Sequence, residues 1–76
     1  MARILKIKNA EVKGTTIQHA LIETLSKFQV VRWTEATNEK ELIDEIEFEG
    51  NADRRAARAM AFGCLDSLHQ LARMGA

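Results

Sequence analysis

Apolar and polar residues alternate at the beginning of the chain. Within Arg3 to Lys8, Leu5 and Ile7 share one parity, whereas Lys6 and Lys8 share the other. Alternation of this kind, with no Gly or Pro inside it, is typical of a β-strand that has one buried face. The pattern predicts a first strand over residues 3–8, with the leucine and the isoleucine directed to the same side.

A different spacing follows Gly14. Apolar residues recur there at intervals of four, four and three: Ile17, Leu21, Leu25 and Phe28. Ala20 and Ile22 widen this apolar stripe. Thr15 or Thr16 can cap the start of a helix, because a hydroxyl oxygen accepts a hydrogen bond from a free backbone N–H of the first turn. The sequence predicts an amphipathic helix that begins after Gly14 and ends near Phe28.

The middle of the chain favours a hairpin. Val30, Val31 and Trp33 are β-branched or aromatic, which favours a strand over residues 29–35. Residues 45–49 alternate Glu with Ile46 and Phe48 as far as Gly50, which predicts a strand paired antiparallel with residues 29–35. Residues 38–44 stay open between a short helix, capped by Asn38 with Glu41 three residues later, and an extended segment.

A long helix is predicted at the end of the chain. Asn51 is a suitable N-cap, Asp53 suits a first turn, and no breaker precedes Gly63 in a helix that runs to about Arg73. At about 100° per residue, one arc of this helix is apolar and forms the expected core face: Ala57, Met60, Ala61, Cys64, Leu65, Leu68, Leu71 and Ala72. The opposite stripe is mostly basic: Arg55, Arg58, Phe62, His69 and Arg73. Phe62 is either an outward contact ring or a ring packed against the first helix or the Arg58 stem.

These elements predict an α+β two-layer domain. Their order is β-α-β-β-α, with a three-stranded sheet and both helices on one face. The 76 residues are too few for a second domain, so residues 1–76 are expected to form a single one. Such a short chain buries only about 60% of its unfolded surface, so its core is small and its stability limited.

Charge is balanced in total but unevenly distributed. Residues 1–14 carry four basic side chains and one acidic side chain, whereas residues 35–53 carry eight acidic side chains and only Lys40, a net charge of −7. Carboxylates crowded on a hairpin predict a basic partner surface, and the leading hypothesis is a non-enzymatic inhibitor, adaptor or assembly subunit. The candidate acidic contact residues are Glu35, Glu39, Glu41, Asp44, Glu45, Glu47 and Glu49.

Nothing in the sequence assembles a catalytic set. Cys64 and His69 are five residues apart on one helix and point about 140° apart, so they cannot form a dyad. A phosphate-binding loop, an EF-hand spacing and a multi-cysteine metal site are missing, so we expect no cofactor and no metal. No apolar run of 18 residues and no leader pattern occurs either, which favours a cytoplasmic protein away from membranes.

A second hypothesis is nucleic-acid binding. Arg54, Arg55, any residue, Ala57 and Arg58 resemble the basic opening of the second helix in double-stranded RNA-binding domains. The resemblance implies phosphate contacts for these arginines, supported by N–H groups at the helix N-terminus. The basic and aromatic candidates of this helix are Arg54, Arg55, Arg58, Phe62 and Arg73.

Two further expectations complete the sequence analysis. A homodimer joined through Phe62 and the last helix would supply core that a short monomer lacks. Trp33 is expected in the core rather than on the surface. Base rates alone suggest an accessory protein of a phage or mobile element, since small single-domain proteins are frequent there.

Overall fold

Four β-strands precede one long helix in this chain. The structure, a computed structural model, describes residues 2–74. The strands pair antiparallel in the order β1-β2-β3-β4, and the helix α1 packs across one face of the sheet. Their bounds are β1 Arg3–Val12, β2 Thr15–Glu23, β3 Lys27–Thr34, β4 Glu39–Glu47 and α1 Gly50–Met74.

The predicted β-α-β-β-α order, with three strands and two helices, is therefore wrong, although the chain is a small α+β domain. The segment predicted as the first helix forms β2 and the start of β3. A separation of four residues, as between Ile17 and Leu21, places two side chains on one face of a helix and equally on one face of a strand. Thr15, Thr16 and Ile22 are β-branched and favour the strand.

The central strand β2 is apolar on both faces, which explains the error. Leu21 is directed to the core beneath α1, while its neighbours Ala20 and Ile22 lie on the opposite face of the sheet. In a helix the same three residues would look like one widened stripe. As consecutive residues of one strand they point to opposite faces in turn, so both faces of the sheet must be apolar there.

A two-residue turn joins β1 to β2. Lys13 and Gly14 have φ angles of 53° and 78°. Two consecutive positive φ angles are what a type I′ hairpin turn requires, and its twist matches that of the strands it connects. Gly14 therefore lies in the turn between two strands, and a strand rather than the predicted helix follows it.

A bulge alters the orientation of residues in β1. The register of β1 with β2 shifts between Ile4 and Lys6, so the extra residue Leu5 packs against the core, whereas Ile7 lies opposite Ala20 on the other face. The prediction that Leu5 and Ile7 share a side is wrong because a bulge offsets the alternation by one residue. It also brings Lys6 and Lys8 to the side of α1.

The predicted hairpin between the third and fourth strands is present. Its first strand is Lys27–Thr34, and its partner begins earlier than predicted, at Glu39, and ends at Glu47. Residues 38–44 hold no helix: Asn38 is a turn residue with φ of 54°, and the rest belong to β4.

The core lies between the sheet and three residues of α1. Its buried side chains share contacts across that interface: Leu21, Phe28, Val30, Ala57, Ala61 and Leu65. Ala57 and Ala61 have no bulk beyond Cβ, which lets the helix approach the strands closely. The predicted core face was too wide, because Met60 and Leu71 are each 63% exposed.

The start of α1 also differs in detail from the prediction. The helix begins at Gly50, and the Asp53 carboxylate accepts a hydrogen bond from the backbone N–H of Glu49 at 2.7 Å. Asp53, rather than Asn51, therefore supplies the observed side-chain cap. No helix within residues 2–74 combines the length and the apolar character needed to cross a membrane.

Candidate functional site

The face of the sheet opposite α1 is apolar and uncovered. Cross-strand pairing places one residue of each strand in a single row, Ile7, Ala20, Val31 and Leu42. Directly opposed side chains on one face of a sheet contact each other, so these four form a continuous apolar band. Of the two outer members, Ile7 is 45% exposed and Leu42 is 53% exposed.

Further apolar side chains widen this band. Ile4 lies opposite Ile22 on one side of it and is 59% exposed. Trp33 lies on the other side, half-buried, and its indole N–H donates a 3.0 Å hydrogen bond to the Asn38 side chain, which fixes the ring. We call this surface the open face and define it as Ile4, Ile7, Ala20, Ile22, Val31, Trp33 and Leu42.

The molecule is long and thin for its mass. Its principal dimensions are 42 × 23 × 15 Å, and the radius of gyration of 12.9 Å exceeds the value of about 11.4 Å typical of 76 residues. Its accessible surface is 5234 Å², against about 4,700 Å² for a compact monomer of 8.6 kDa. A single helix on a four-stranded sheet leaves the second apolar face in contact with water.

Charged side chains border the open face. By strand parity, three carboxylates and two ammonium groups lie on this side of the sheet, giving a net charge of −1: Glu11, Glu45 and Glu47 against Lys27 and Lys40. Lys27 lies 3.2 Å from Glu45, whose carboxylate also accepts a 3.0 Å hydrogen bond from Gln29. These hydrogen bonds and the Lys27 charge lower the pKa of Glu45.

The acidic residues predicted as one contact surface are divided between two faces. Glu45 and Glu47 lie on the open-face side of β4, whereas Glu39, Glu41 and Asp44 alternate to the side of α1. Glu35 lies in the β3–β4 turn and Glu49 lies beyond the end of β4. Two of the seven carboxylates, Glu45 and Glu47, thus project from the edge strand beside the open face.

Several of these carboxylates have partners within the chain. Glu41 forms a 2.7 Å ion pair with Arg32, and Glu35 accepts a 3.1 Å hydrogen bond from the backbone N–H of Thr16. Asp44 lies 3.7 Å from the Cys64 sulfur. Burial, and then the Asp44 charge, raise the pKa of the Cys64 thiol, which disfavours the reactive thiolate form.

The basic residues predicted for nucleic-acid contact are partly engaged in the fold. Arg54 is hydrogen-bonded to Glu23 and its guanidinium lies 5.9 Å from the centre of the Phe28 ring. Arg58 lies 4.8 Å from the centre of the Phe62 ring, and Phe62 itself packs against the core. Of the two alternatives for Phe62, the structure has the packed ring rather than the outward one. Arg55 and Arg73 are exposed.

The order of elements also differs from that of a double-stranded RNA-binding domain. In that family a helix precedes the strands, whereas here β1 and β2 occupy the region before β3. The five-residue resemblance therefore covers the start of α1 and does not extend to the fold around it.

Sequence reasoning missed the open face. Trp33, expected in the core, belongs to it, as do Ile4, Ile7 and Ile22. The available signal was apolar residues at both parities, Ile4 with Leu5 and Ile22 with Leu21, in a chain with too few helices to cover two sheet faces. Apolar residues at consecutive positions also fit one wide apolar stripe of a helix, which is the structure predicted for residues 15–28.

Metal chemistry has no visible scaffold in this part of the molecule. Within residues 2–74, no three side chains of His, Cys, Asp or Glu are close enough together to hold an ion. Comparisons of the chain with protein-family models, with curated proteins and with solved structures found no match.

Proposed function

We propose that this chain is a non-enzymatic protein-binding module, an inhibitor, adaptor or assembly subunit, whose open face docks on an apolar surface of a partner protein bordered by basic residues. The uncovered apolar band of the sheet is the observation that carries the proposal. A contiguous apolar patch on an otherwise polar surface is typical of a contact site, because water contact with it is unfavourable.

The size of the face suits a modest protein interface. Four strands about 4.8 Å apart and about eight residues long give a sheet area on the order of 500 Å². A standard protein–protein interface buries about 800 Å² on each partner, an area reached when the bordering charged side chains are included. Trp33 and the aliphatic residues around it would form the centre, since large rigid side chains dominate interface energies.

Charge favours a basic partner over a second copy of the chain. The strand residues that border the open face carry a net charge of −1. Two such faces stacked on each other would bring like charges together, whereas lysines or arginines around an apolar patch would meet Glu45 and Glu47 with opposite charge. The acidic strand thus keeps the role suggested by the sequence, but as the border of an apolar contact.

The cellular setting belongs to the same proposal. Cys64 is the only cysteine of the chain and has no internal disulfide partner. A protein that keeps a free thiol suits the reducing cytoplasm.

The experiment compares binding by matched surface variants. The chain is immobilised and exposed to lysate of its source organism, and the bound proteins are identified after crosslinking. The variants are Ile7→Glu on the open face and Leu25→Glu in the β2–β3 turn, where Leu25 is 85% exposed and off that face. A true partner is retained by wild type and by Leu25→Glu, and is lost with Ile7→Glu.

Charge reversal and light scattering complete the test. Glu45→Lys with Glu47→Lys should weaken binding of that partner, and crosslinks should locate basic residues of the partner beside β4. The proposal is overturned if Ile7→Glu retains every bound protein. It is also overturned if the wild type is a dimer at micromolar concentration and Ile7→Glu is a monomer, because the occupant is then a second copy.

A further inference from the structure

A row of polar side chains crosses the sheet beneath α1. Cross-strand pairing places Lys8, His19, Arg32 and Glu41 opposite one another on β1 to β4. The two ends of the row are charge-paired, Lys8 with Asp66 of α1 at 2.6 Å and Arg32 with Glu41 at 2.7 Å. His19 is the member of the row without such a pair.

His19 is buried with an unsatisfied ring nitrogen. Its residue surface is 1% exposed, and its Nδ1 has no hydrogen-bond partner among the described residues. His69 of α1, close enough for its charge to act on His19, also has an unpartnered buried Nδ1. A buried polar atom without a partner costs about 1–3 kcal/mol, so two of them in one place are unusual in a folded protein.

His19, but not His69, lines a cavity that opens at the end of the sheet. The cavity has a volume of about 270 Å³ and is bounded by one end of β1 and β2 and by the last turns of α1. Its polar lining comes from His19 and Arg32, and the rest is aliphatic: Val12, Ile17, Leu68, Leu71 and Ala72. Hydrogen-bond donors thus lie at one side of an otherwise apolar cavity.

We propose that this cavity binds a small monocarboxylate with an apolar tail. The carboxylate would accept hydrogen bonds from the Arg32 guanidinium, with the buried His19 imidazole beside it, and the tail would lie against the aliphatic lining. Arg32 has five N–H donors in a planar fork, and its bond to Glu41 leaves others for a second carboxylate. No acidic side chain lines the cavity, and Glu41, which lies outside the lining, is paired with Arg32 itself.

The volume limits the size of the ligand. At about 30 Å³ for each water-sized group, the cavity holds on the order of nine non-hydrogen atoms. That number fits a carboxylate with a chain of about six carbons, or a benzoate. It excludes nucleotides and long-chain lipids bound entirely inside.

Binding of an anion is expected to take up a proton. Burial, the Arg32 charge and the His69 charge lower the pKa of His19, so its free form is neutral at pH 7. Lys8 from β1, Glu41 beyond Arg32 on β4, and Asp66 on α1 are the other charged groups facing it. A bound carboxylate would favour the imidazolium and raise the His19 pKa, so affinity should be higher at acid pH, where the imidazole takes up the proton, than at alkaline pH.

The experiment is an NMR titration of the whole chain with hexanoate. Backbone amide and imidazole resonances are followed at about pH 6 and pH 8, with hexanamide as the neutral ligand of matched size. We expect shifts confined to residues around the cavity, at least tenfold weaker binding of hexanamide, and tighter hexanoate binding at the lower pH. Failure of hexanoate to shift those resonances at about 10 mM, near ten times a millimolar dissociation constant, overturns the proposal.

Two charge variants test whether Arg32 binds the carboxylate. Arg32→Gln should weaken hexanoate binding at least tenfold, whereas Arg55→Gln removes an equal charge from the exposed side of α1 and should leave the affinity unchanged. Equal loss in both variants means that the anion responds only to overall charge, and equal binding of hexanamide means that no carboxylate is recognised; either result overturns the proposal. The Ile7→Glu variant should bind hexanoate normally, which separates this site from the open face.

Discussion

The carboxylate of Glu23 in β2 accepts a hydrogen bond from the guanidinium of Arg54 in α1, and this pair ties the start of the helix to a central strand. Glu23 is well buried, with 13% of its side chain exposed, and Arg54 also lies over the Phe28 ring. Arg3 of β1 reaches the other oxygen of Glu23 at 2.9 Å. One carboxylate therefore links two strands and the helix.

Removing the Glu23 charge should destabilise the fold. We expect Glu23→Gln to lower the free energy of unfolding by about 1–2 kcal/mol, less than for a fully buried pair because solvent partly screens Arg54. Arg3→Gln, at an exposed position, should cost less than about 0.5 kcal/mol. Urea denaturation followed by circular dichroism measures both, and equal losses would contradict a dominant role for the helix contact.

The same carboxylate gives stability a dependence on acid pH. Burial opposes ionisation of Glu23, but the hydrogen bond and charge of Arg54, with those of Arg3, outweigh it and lower the pKa below 4.5. The contribution is therefore present above about pH 4.5 and lost as the pH falls through the lower folded-state value. Wild type should lose more stability than Glu23→Gln between about pH 5 and pH 3, and parallel curves would refute this.

His19 should act in a separate, higher pH range. Its pKa is lowered from 6.5 by burial and by the charges of Arg32 and His69, so the unfolded chain binds the proton more tightly than the folded chain. The stability contribution is present above pH 6.5 and declines as the pH falls toward the folded-state value. His19→Gln should flatten the unfolding free energy between about pH 7.5 and pH 5.5; an unchanged slope would assign the effect to another group.

The sequence predicted best those strands in which only every second residue is apolar, or in which several β-branched residues follow one another. The β3–β4 hairpin was predicted from Val30, Trp33 and the Glu-flanked Ile46, and α1 was predicted from its unbroken period. The helix predicted over residues 15–28 was wrong for two reasons. Ile17 and Leu21 are four residues apart, a spacing that suits a helix and a strand equally, and the central strand β2, which pairs with β1 and β3, is apolar on both faces.

The candidate surfaces could be predicted only in part. The excess of acidic residues in β4 is visible in the sequence, but their division between two faces depends on the bulge in β4 between the positions opposite Val30 and Val31. The open face exists because a single helix covers only one side of the sheet, so a prediction with two helices and three strands could not show it. The row from Lys8 to Glu41 needs the register of four strands, which no local pattern specifies.

The turn between β1 and β2 offers a test of backbone conformation. Gly14 has a φ of 78°, which an alanine adopts only with strain, so Gly14→Ala should destabilise the fold by about 1–2 kcal/mol. Lys13 has a φ of 53°, and Lys13→Asn should stabilise by a few tenths of a kcal/mol, since Asn tolerates the left-handed region. Thermal unfolding of both variants measures the signs; stabilisation by Gly14→Ala would exclude the type I′ turn.

The close approach of α1 to the sheet can be tested with a pair of alanines. Ala61 is fully buried against the strands, whereas Ala59 of the same helix is exposed. Ala61→Leu should destabilise the fold by about 1–3 kcal/mol because the added carbons force the helix outward. Ala59→Leu carries nearly the same change in helix propensity and should alter stability by less than about 0.5 kcal/mol. Because the two substitutions are chemically identical, chemical denaturation isolates the packing effect; equal stability of the two variants would mean that the helix face is set differently from Ala57, Ala61 and Leu65.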